Sequence, residues 1–168
     1  MKKIFYIIGL CFLTFQSCKK DEVEGTATQK LAGEWYVTAD ALKADGSLFE
    51  KDVYGLGHFM LATYNTESND LSKIWIEDRG NFWDFKGIIN GDVNTLTFSG
   101  EDVQNVSYDS KFTVTNGKIL KAAATTPSGM KADSVVFEIK FDDDDPVGNG
   151  FDRYRITGYR YTGLANDD

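Results

Sequence analysis

Turn-forming residues recur along the chain from Leu31 onward, and their regular spacing limits the fold more than any other feature. The turn signals are Asp45-Gly46, Ser68-Asn69-Asp70, Arg79-Gly80-Asn81, Asn90-Gly91-Asp92, Asn116-Gly117, Pro127-Ser128-Gly129 and residues 146–150. Between them, apolar and polar side chains alternate, as where Phe112 and Val114 alternate with Thr113 and Thr115. Turns spaced by roughly 8–12 residues with period-two segments indicate hairpin-connected strands rather than βαβ units.

This pattern predicts eight strands and a ninth near the C-terminus. They lie near residues 33–39, 58–65, 73–78, 83–89, 94–99, 110–115, 118–123, 133–141 and 152–162. Residues 40–54 fit either a short helix or another strand. Asn116-Gly117 suits a type I′ turn between two of the strands. Closure removes exposed strand edges, so we predict an all-β fold, an antiparallel up-and-down barrel of 8–9 strands. A β-sandwich is the alternative.

The N-terminus has the layout of a bacterial lipoprotein signal. Lys2 and Lys3 precede the mostly apolar run from Ile4 to Phe15, and Gln16-Ser17-Cys18 follows. The run is too short to span a bilayer, which needs about 20 residues. We therefore predict a signal peptide over residues 1–17, a lipidated Cys18 with a polar tether over residues 18–30, and one domain over residues 31–168. An ordinary signal peptide with an incidental cysteine is the alternative.

This N-terminus predicts the cell envelope of a Gram-negative bacterium, with the protein anchored to a membrane through the Cys18 lipid. We expect the outer membrane. The acidic residues just behind Cys18 resemble surface-export signals, so exposure on the cell surface is a further expectation.

Composition limits the function class. The formal net charge is −8, and loss of Lys2 and Lys3 with the signal would make it −10, whereas nucleic-acid binding needs a basic face. We therefore expect no nucleic-acid partner. Cleavage would also remove Cys11 and leave no intrachain disulfide. With one histidine and two cysteines the chain has few zinc ligands, and we expect no cofactor. Oligomeric state is left open.

Several motifs together resemble one known family. Gly33-Glu34-Trp35 opens the first predicted strand, as the Gly-x-Trp signature does in lipocalins. Accompanying segments are residues 64–66 (YNT), 74–78 (IWIED), 81–86 (NFWDFK) and 158–163 (GYRYTG). Together they are similar to the bacterial lipoproteins described as lipid-binding putative hydrolases, over about residues 31–168. The resemblance implies a lipocalin-like barrel with a cavity for an apolar ligand.

Barrel closure brings the start of the first strand beside the end of the last. Gly33 and Trp35 should then lie near Arg160, with the guanidinium over the indole as a cation–π contact. The alternative is that Arg160 faces solvent. We predict the contact.

Catalytic and metal motifs are weak. No Gly-x-Ser-x-Gly motif occurs, and His58, the single histidine, fits a structural or exposed position. Glu77 and Asp78 are neighbours on a strand and should face opposite sides, which argues against a shared acid–base site. The run from Asp142 to Asp145 offers weak Ca²⁺ candidates in Asp142, Asp144 and Asp145, although a solvated loop is the simpler interpretation.

Aromatic residues are abundant enough to line a ligand cavity. The predicted wall residues are Tyr64, Trp75, Trp83, Phe85, Phe98, Phe137 and Tyr154. The alternative is that they fill the barrel, since eight strands enclose just enough space for side chains. No basic residue is predicted to face inward, so a neutral or sterol-like lipid is favoured over a fatty acid.

Three hypotheses follow from these residues. The first is a membrane-anchored, non-enzymatic binder of an apolar small molecule or lipid. The second is a lipid or ester hydrolase, as the family description implies. The third is a protein-interaction lipoprotein with a packed barrel.

Overall fold

A computed structural model describes residues 25–167, so the predicted signal peptide, Cys18 and about half of the predicted tether lie outside the described residues. The strands are β1 Gly33–Leu42, β2 Leu48–Glu50, β3 Phe59–Asn65, β4 Lys73–Glu77, β5 Lys86–Asp92, β6 Thr97–Gln104, β7 Lys111–Thr125, β8 Lys131–Phe141 and β9 Arg153–Arg160. A 3₁₀ turn covers Val53–Gly55. Within residues 25–167, no helix is both long enough and apolar enough to cross a membrane.

The strands form one closed antiparallel barrel. They follow the order β2-β1-β3-β4-β5-β6-β7-β8-β9, and β1 also pairs with β9. That last pairing runs from Trp35 opposite Arg160 to Leu42 opposite Arg153. Strands β1 and β3–β9 therefore make an eight-stranded barrel, and β2 is a short extra strand beside the end of β1. The predicted all-β, up-and-down barrel is confirmed.

The sequence pattern is wrong about the turn at Asn116-Gly117. The predicted strands 110–115 and 118–123 form one strand, β7, and its register against β8 shifts between Thr115 and Lys118. Asn116 has a φ of 56°, and a Cβ on Gly117 would collide with the backbone of Phe98. An Asn-Gly pair suits a hairpin turn, but it also suits a β-bulge. In a bulge one residue takes a positive φ, and a glycine lets the neighbouring strand's backbone approach closely.

Other boundaries also differ. Strand β5 begins at Lys86 rather than at residue 83, so Trp83 lies in a loop. Strand β6 runs to Gln104, beyond the predicted end at residue 99. The ambiguous residues 40–54 contain the end of β1, strand β2 and the 3₁₀ turn.

Alternation on each strand fills the barrel interior. Trp35, Val37 and Ala39 on β1 are buried, as are Ile74 and Ile76 on β4. Rings meet inside the barrel, with centroids 5.2 Å apart for Phe85 and Phe112 and 5.7 Å apart for Phe98 and Phe137. The middle of the barrel is therefore a packed core.

The two ends of the barrel differ. The proximal end carries the chain start and residues 66–72, 93–96 and 126–130, whereas the distal end carries residues 43–58, 78–85, 105–110 and 142–152. Leu31, which is fully buried, closes the proximal end beside Gly91.

At the proximal end, Arg160 lies over the Trp35 indole, with the guanidinium carbon 4.6 Å from the ring centroid. The indole N–H donates to Thr63 Oγ1 at 2.9 Å, and that hydroxyl donates to the Leu31 carbonyl. Arg160 also donates to the Ala32 carbonyl at 3.1 Å. The contact therefore joins the entering chain, β1, β3 and β9.

We expect Trp35→Ala to lower the free energy of unfolding by about 3–5 kcal/mol, because it empties a fully buried site and breaks the bond to Thr63. Arg160→Ala should have a smaller effect, since a half-exposed cation–π pair contributes only about 0.5–1 kcal/mol. Urea unfolding of both variants measures this. Equal losses for the two variants would contradict the assigned roles.

Candidate functional site

A buried aspartate organises the loop at the distal end that joins β4 to β5. Asp78 is fully buried, and its carboxylate accepts backbone N–H groups from five residues of this loop. The donors, at 2.7–3.0 Å, are Gly80, Phe82, Trp83, Asp84 and Phe85. The carboxylate thus satisfies donors that a buried loop would otherwise leave unpaired. The loop presents Phe82 and Trp83 over the end of the barrel.

Aromatic rings converge at this end and form what we term the aromatic end. Its members are Tyr54, Phe82, Trp83, Phe141 and Tyr154. Trp83 stacks on Phe141 with centroids 5.0 Å apart, and Phe82 meets Tyr154 edge-on at 5.0 Å. Phe141 in turn contacts Phe85 in the core. The rings therefore run from the surface, where Tyr54 is 55% exposed, into the interior.

Polar groups of the aromatic end bond to the aspartate run of the β8–β9 loop. Tyr154 Oη donates to Asp144 at 2.7 Å and lies 2.8 Å from Tyr54 Oη. Because Tyr154 has a single hydroxyl proton, Tyr54 is the donor in the second bond. Burial, with contributions from Tyr54 and Asp144, raises the pKa of Tyr154 far above its ordinary value, so the phenol keeps its proton.

Asp143 bonds to two further aromatic side chains. It accepts from Trp83 Nε1 at 3.1 Å and from Tyr108 Oη at 2.7 Å. Burial and this carboxylate raise the pKa of Tyr108. The loop thus covers the aromatic end with acceptors rather than with cations.

The aspartates do not converge on a common point. Asp142 accepts from the Lys111 backbone N–H and Asp145 from that of Gly148, while Asp143 and Asp144 turn to the aromatic end. Among residues 25–167, no three His, Cys, Asp or Glu side chains are grouped so that they would hold a metal ion. The Ca²⁺ candidates Asp142, Asp144 and Asp145 therefore serve as hydrogen-bond acceptors for the surrounding loops and rings.

The predicted wall residues fall into three places. Trp83, Phe85 and Tyr154 lie at or beneath the aromatic end. Phe98 and Phe137 contact each other deeper in the barrel. Tyr64 and Trp75 lie outside, because their neighbours Thr63, Ile74 and Ile76 take the inward positions on β3 and β4. The two outer rings stack with centroids 6.3 Å apart, and Lys86 lies over both.

Other candidate catalytic residues are dispersed. His58 is exposed and stacks on Tyr36 of β1 with centroids 4.8 Å apart, on the outside of the barrel. Glu77 faces outward to Lys86 and Tyr64, away from the buried Asp78. The two carboxylates therefore point to opposite sides of the wall.

The sequence pattern does not single out Tyr54, Phe82 or Phe141 for this site. Only Asp78 carries a usable signal, because an aspartate directly before Arg79-Gly80-Asn81 is typical of a side chain that caps its own turn. Tyr54 has no such signal, since it belongs to an irregular segment in which Asp52 and Tyr54 both have positive φ.

Comparison with known proteins bears on what this aromatic end does. The sequence model of one family, described as lipid-binding putative hydrolase, matches residues 20–165. The chain belongs to this family. The resemblance drawn from Gly33-Glu34-Trp35 and its companion segments is thereby confirmed. A comparison with curated proteins finds no match. Both the aromatic end and the Trp35–Arg160 contact lie inside the matched residues.

In this member of the family, Asp78→Asn should lower the free energy of unfolding by at least about 2 kcal/mol. The amide keeps one acceptor oxygen, while five N–H groups need acceptors, and bonds to a charged group contribute about 1.5–3 kcal/mol each. Near-UV circular dichroism should weaken as Trp83 loses its fixed surroundings. Asp84→Asn, at an exposed carboxylate in the same loop, is the matched control and should change stability by less than about 0.5 kcal/mol. Equal effects would refute the assigned role of Asp78.

Proposed function

We propose that this chain is a membrane-anchored, lipocalin-like lipoprotein that binds an apolar small molecule or lipid at the aromatic end of its barrel, without catalysis. The observation that carries the proposal is the continuous run of rings from the exposed Tyr54 through Trp83 and Phe141 to the core. Membership of a family described as lipid-binding supports the same ligand class.

The chemistry of the aromatic end favours a neutral ligand. Its rings provide apolar area, and burial of ligand surface contributes about 25 cal/mol per Å². The Tyr54 hydroxyl donates its proton to Tyr154, so its oxygen is the acceptor that remains for one polar group of the ligand. The carboxylates of Asp143 and Asp144 would repel a fatty-acid head group at this position. A neutral or sterol-like lipid fits better.

A ligand would reach these rings by moving the segment that carries Tyr54. Asp52 has a φ of 46° and Tyr54 a φ of 70°, conformations that cost of order 1–3 kcal/mol for residues other than glycine. Leu48, Phe49 and Leu56 of the same region are already exposed. We therefore assign this strained segment as the part of the distal end that a ligand displaces.

Anchoring at Cys18 is the second part of the proposal. The described chain begins at the proximal end, so a lipid on Cys18 would hold that end near a membrane and direct the aromatic end away from it. In that arrangement, a ligand is exchanged with the aqueous phase or with a partner, and the barrel itself stays outside the bilayer.

Two other functions have a specific observation in their favour. The family description supports a lipid or ester hydrolase, in which case ester turnover would be measurable. The packed interior supports a protein-interaction lipoprotein that takes up no ligand. Probe binding and an ester assay on the same preparation separate the three.

We expect N-phenyl-1-naphthylamine, a neutral apolar fluorophore, to bind the soluble protein and brighten. Trp83→Ala should weaken this binding about tenfold, since loss of one stacked ring is equivalent to about 1.4 kcal/mol. Tyr161→Ala is the control, because that ring lies against Tyr36 outside the barrel. No response to this probe or to a fluorescent fatty acid would leave the packed-barrel interpretation ahead.

We expect Cys18→Ser to release the protein from membranes. The thiol is the acceptor for the lipid, and several acyl chains at about 0.8 kcal/mol per buried CH₂ give lasting attachment. Membrane fractionation and intact-mass measurement test this, and the variant should lack the acyl mass. A Cys18→Ser protein that stays membrane-bound would contradict the anchor.

A further inference from the structure

The barrel is closed, but the hydrogen-bonded ladder between β5 and β6 covers only part of their length. Strand β5 pairs with β4 from Lys86 to Asn90, yet its ladder with β6 covers only Asn90–Ser99, Gly91–Phe98 and Asp92–Thr97. At the distal side, the Val106 N–H donates to the Lys86 carbonyl at 2.9 Å. A slit of about four residues, about 13 Å at 3.3 Å per residue, lies between these two closures.

Two side chains fill this slit, Val103 between Gly87 and Gly100 and Ile89 against Gly100. A Cβ placed on Gly87 would lie 2.7 Å from Val103 Cγ1, and one on Gly100 would lie 2.6 Å from Val103 Cγ2. The two glycines therefore admit the valine between the strands. Behind it, the ring of Phe112 approaches the same Gly87 position at 2.7 Å. Val103 and Ile89 thus separate the barrel core from the outside here.

Outside Val103 lies a cleft of about 370 Å³, which we term the β5–β6 cleft. Its apolar side chains are Trp75, Ile88, Ile89, Val103 and Val106. Ile88 is 42% and Val106 is 57% exposed, so apolar surface faces water in both strands. Trp75 is paired with Ile88 across the β4–β5 ladder and with Tyr64 across the β3–β4 ladder, which extends the apolar row. The volume lies within the range of small-molecule sites, about 300–1,000 Å³.

Polar groups mark one end of this cleft. Lys73 lines it, and its ammonium donates to Asn90 Oδ1 at 2.5 Å. The ion pairs found among residues 25–167 do not include Lys73, whereas the neighbouring Lys86 is paired with Glu77. Glu101 also lines the cleft, and Asp70 lies close enough to Lys73 to feel its charge. The Lys73 ammonium is therefore available to donate a hydrogen bond to a ligand head group. The nearby carboxylates of Glu101 and Asp70 offset its positive charge.

We propose that the β5–β6 cleft binds one linear acyl chain, laid along the strands across Val103, with a head-group carbonyl oxygen held by Lys73. This inference rests on lipid binding as the function and assigns a second site with a different ligand shape. The slit is one valine wide and closed at both ends by backbone hydrogen bonds. That shape suits an unbranched chain better than a fused ring system, and it leaves too few residues of free edge for a peptide strand.

Quenching of Trp75 by bromine tests the site, since brominated lipids quench an indole that they contact. The protein is the full chain carrying Cys18→Ser and Trp83→Phe, which keeps Trp75 and the buried Trp35. The probes are 9,10-dibromostearic acid, its monoacylglycerol and a dibrominated sterol. Both acyl probes should quench Trp75, and the sterol should not. A Trp75→Phe version should lose this quenching.

Two substitutions localise the effect. Ile88→Ser should weaken binding of the acyl probes about tenfold, because it removes one apolar wall of the cleft. Leu120→Ser is the matched control, since Leu120 is 44% exposed on β7 and does not line the cleft. Lys73→Met should weaken the fatty acid and its ester equally, because it removes the donor to a carbonyl oxygen that both contain, and a loss confined to the fatty acid would overturn the assigned carbonyl contact. Melting temperatures of all variants check that they are folded.

Each result decides the matter. The same titration on the Cys18→Ser protein that keeps Trp83 gives the other outcome. If the acyl probes quench only Trp83 there, and Ile88→Ser leaves that quenching unchanged, the cleft site is overturned while the proposed function stands. Equal quenching of Trp75 by the sterol would overturn the assignment of a linear ligand. Failure of every probe, including N-phenyl-1-naphthylamine, would overturn both proposals together.

Discussion

Pairing between the first and last strands holds this barrel closed, and the core, both ends and the cleft depend on that seam. Strand β1 pairs with β3 from Gly33 to Val37 and with β9 from Trp35 to Leu42, so it has a partner on both sides where the two overlap. At Gly158 the backbone of Tyr36 is so close that any Cβ would collide with it. The Trp35–Arg160 contact then fixes the proximal end of the seam. Without the seam, the interior rings would face water.

Much of this fold is predictable from the sequence because two local signals agree. Period-two alternation places Val135, Phe137 and Ile139 inside, and turn residues separate most of the strands. The prediction fails at Asn116-Gly117, because a positive φ followed by a glycine suits a bulge as well as a turn. The long β7–β8 ladder decides between a bulge and a turn. This ladder pairs residues that are distant in the sequence, so a local sequence pattern does not predict it.

The site was less predictable from the sequence. Tertiary contacts decide both which side chains point into the barrel and which path each loop takes. Tyr64 and Trp75 are placed outside by the register of β3 and β4, and a shift of one residue would reverse this. Trp83 reaches the aromatic end only because the loop is wound around the buried Asp78. Tyr54 arrives from an irregular segment, far in sequence from its partner Tyr154. Composition shows that rings are abundant but does not show where they meet.

A packed interior determines where such a barrel can hold a lipid. Making room in the core would displace rings such as Phe85 and Phe112, and each buried aromatic side chain contributes about 3–5 kcal/mol to stability. Ligand burial at about 25 cal/mol per Å² would have to exceed that loss before any affinity remained. The β5–β6 cleft avoids the conflict, because Ile88 and Val106 already face solvent. The aromatic end avoids most of it, because a ligand there displaces the segment that carries the exposed Tyr54 rather than the rings in the middle of the barrel. The fold is therefore better suited to binding lipid at its margins than to enclosing one.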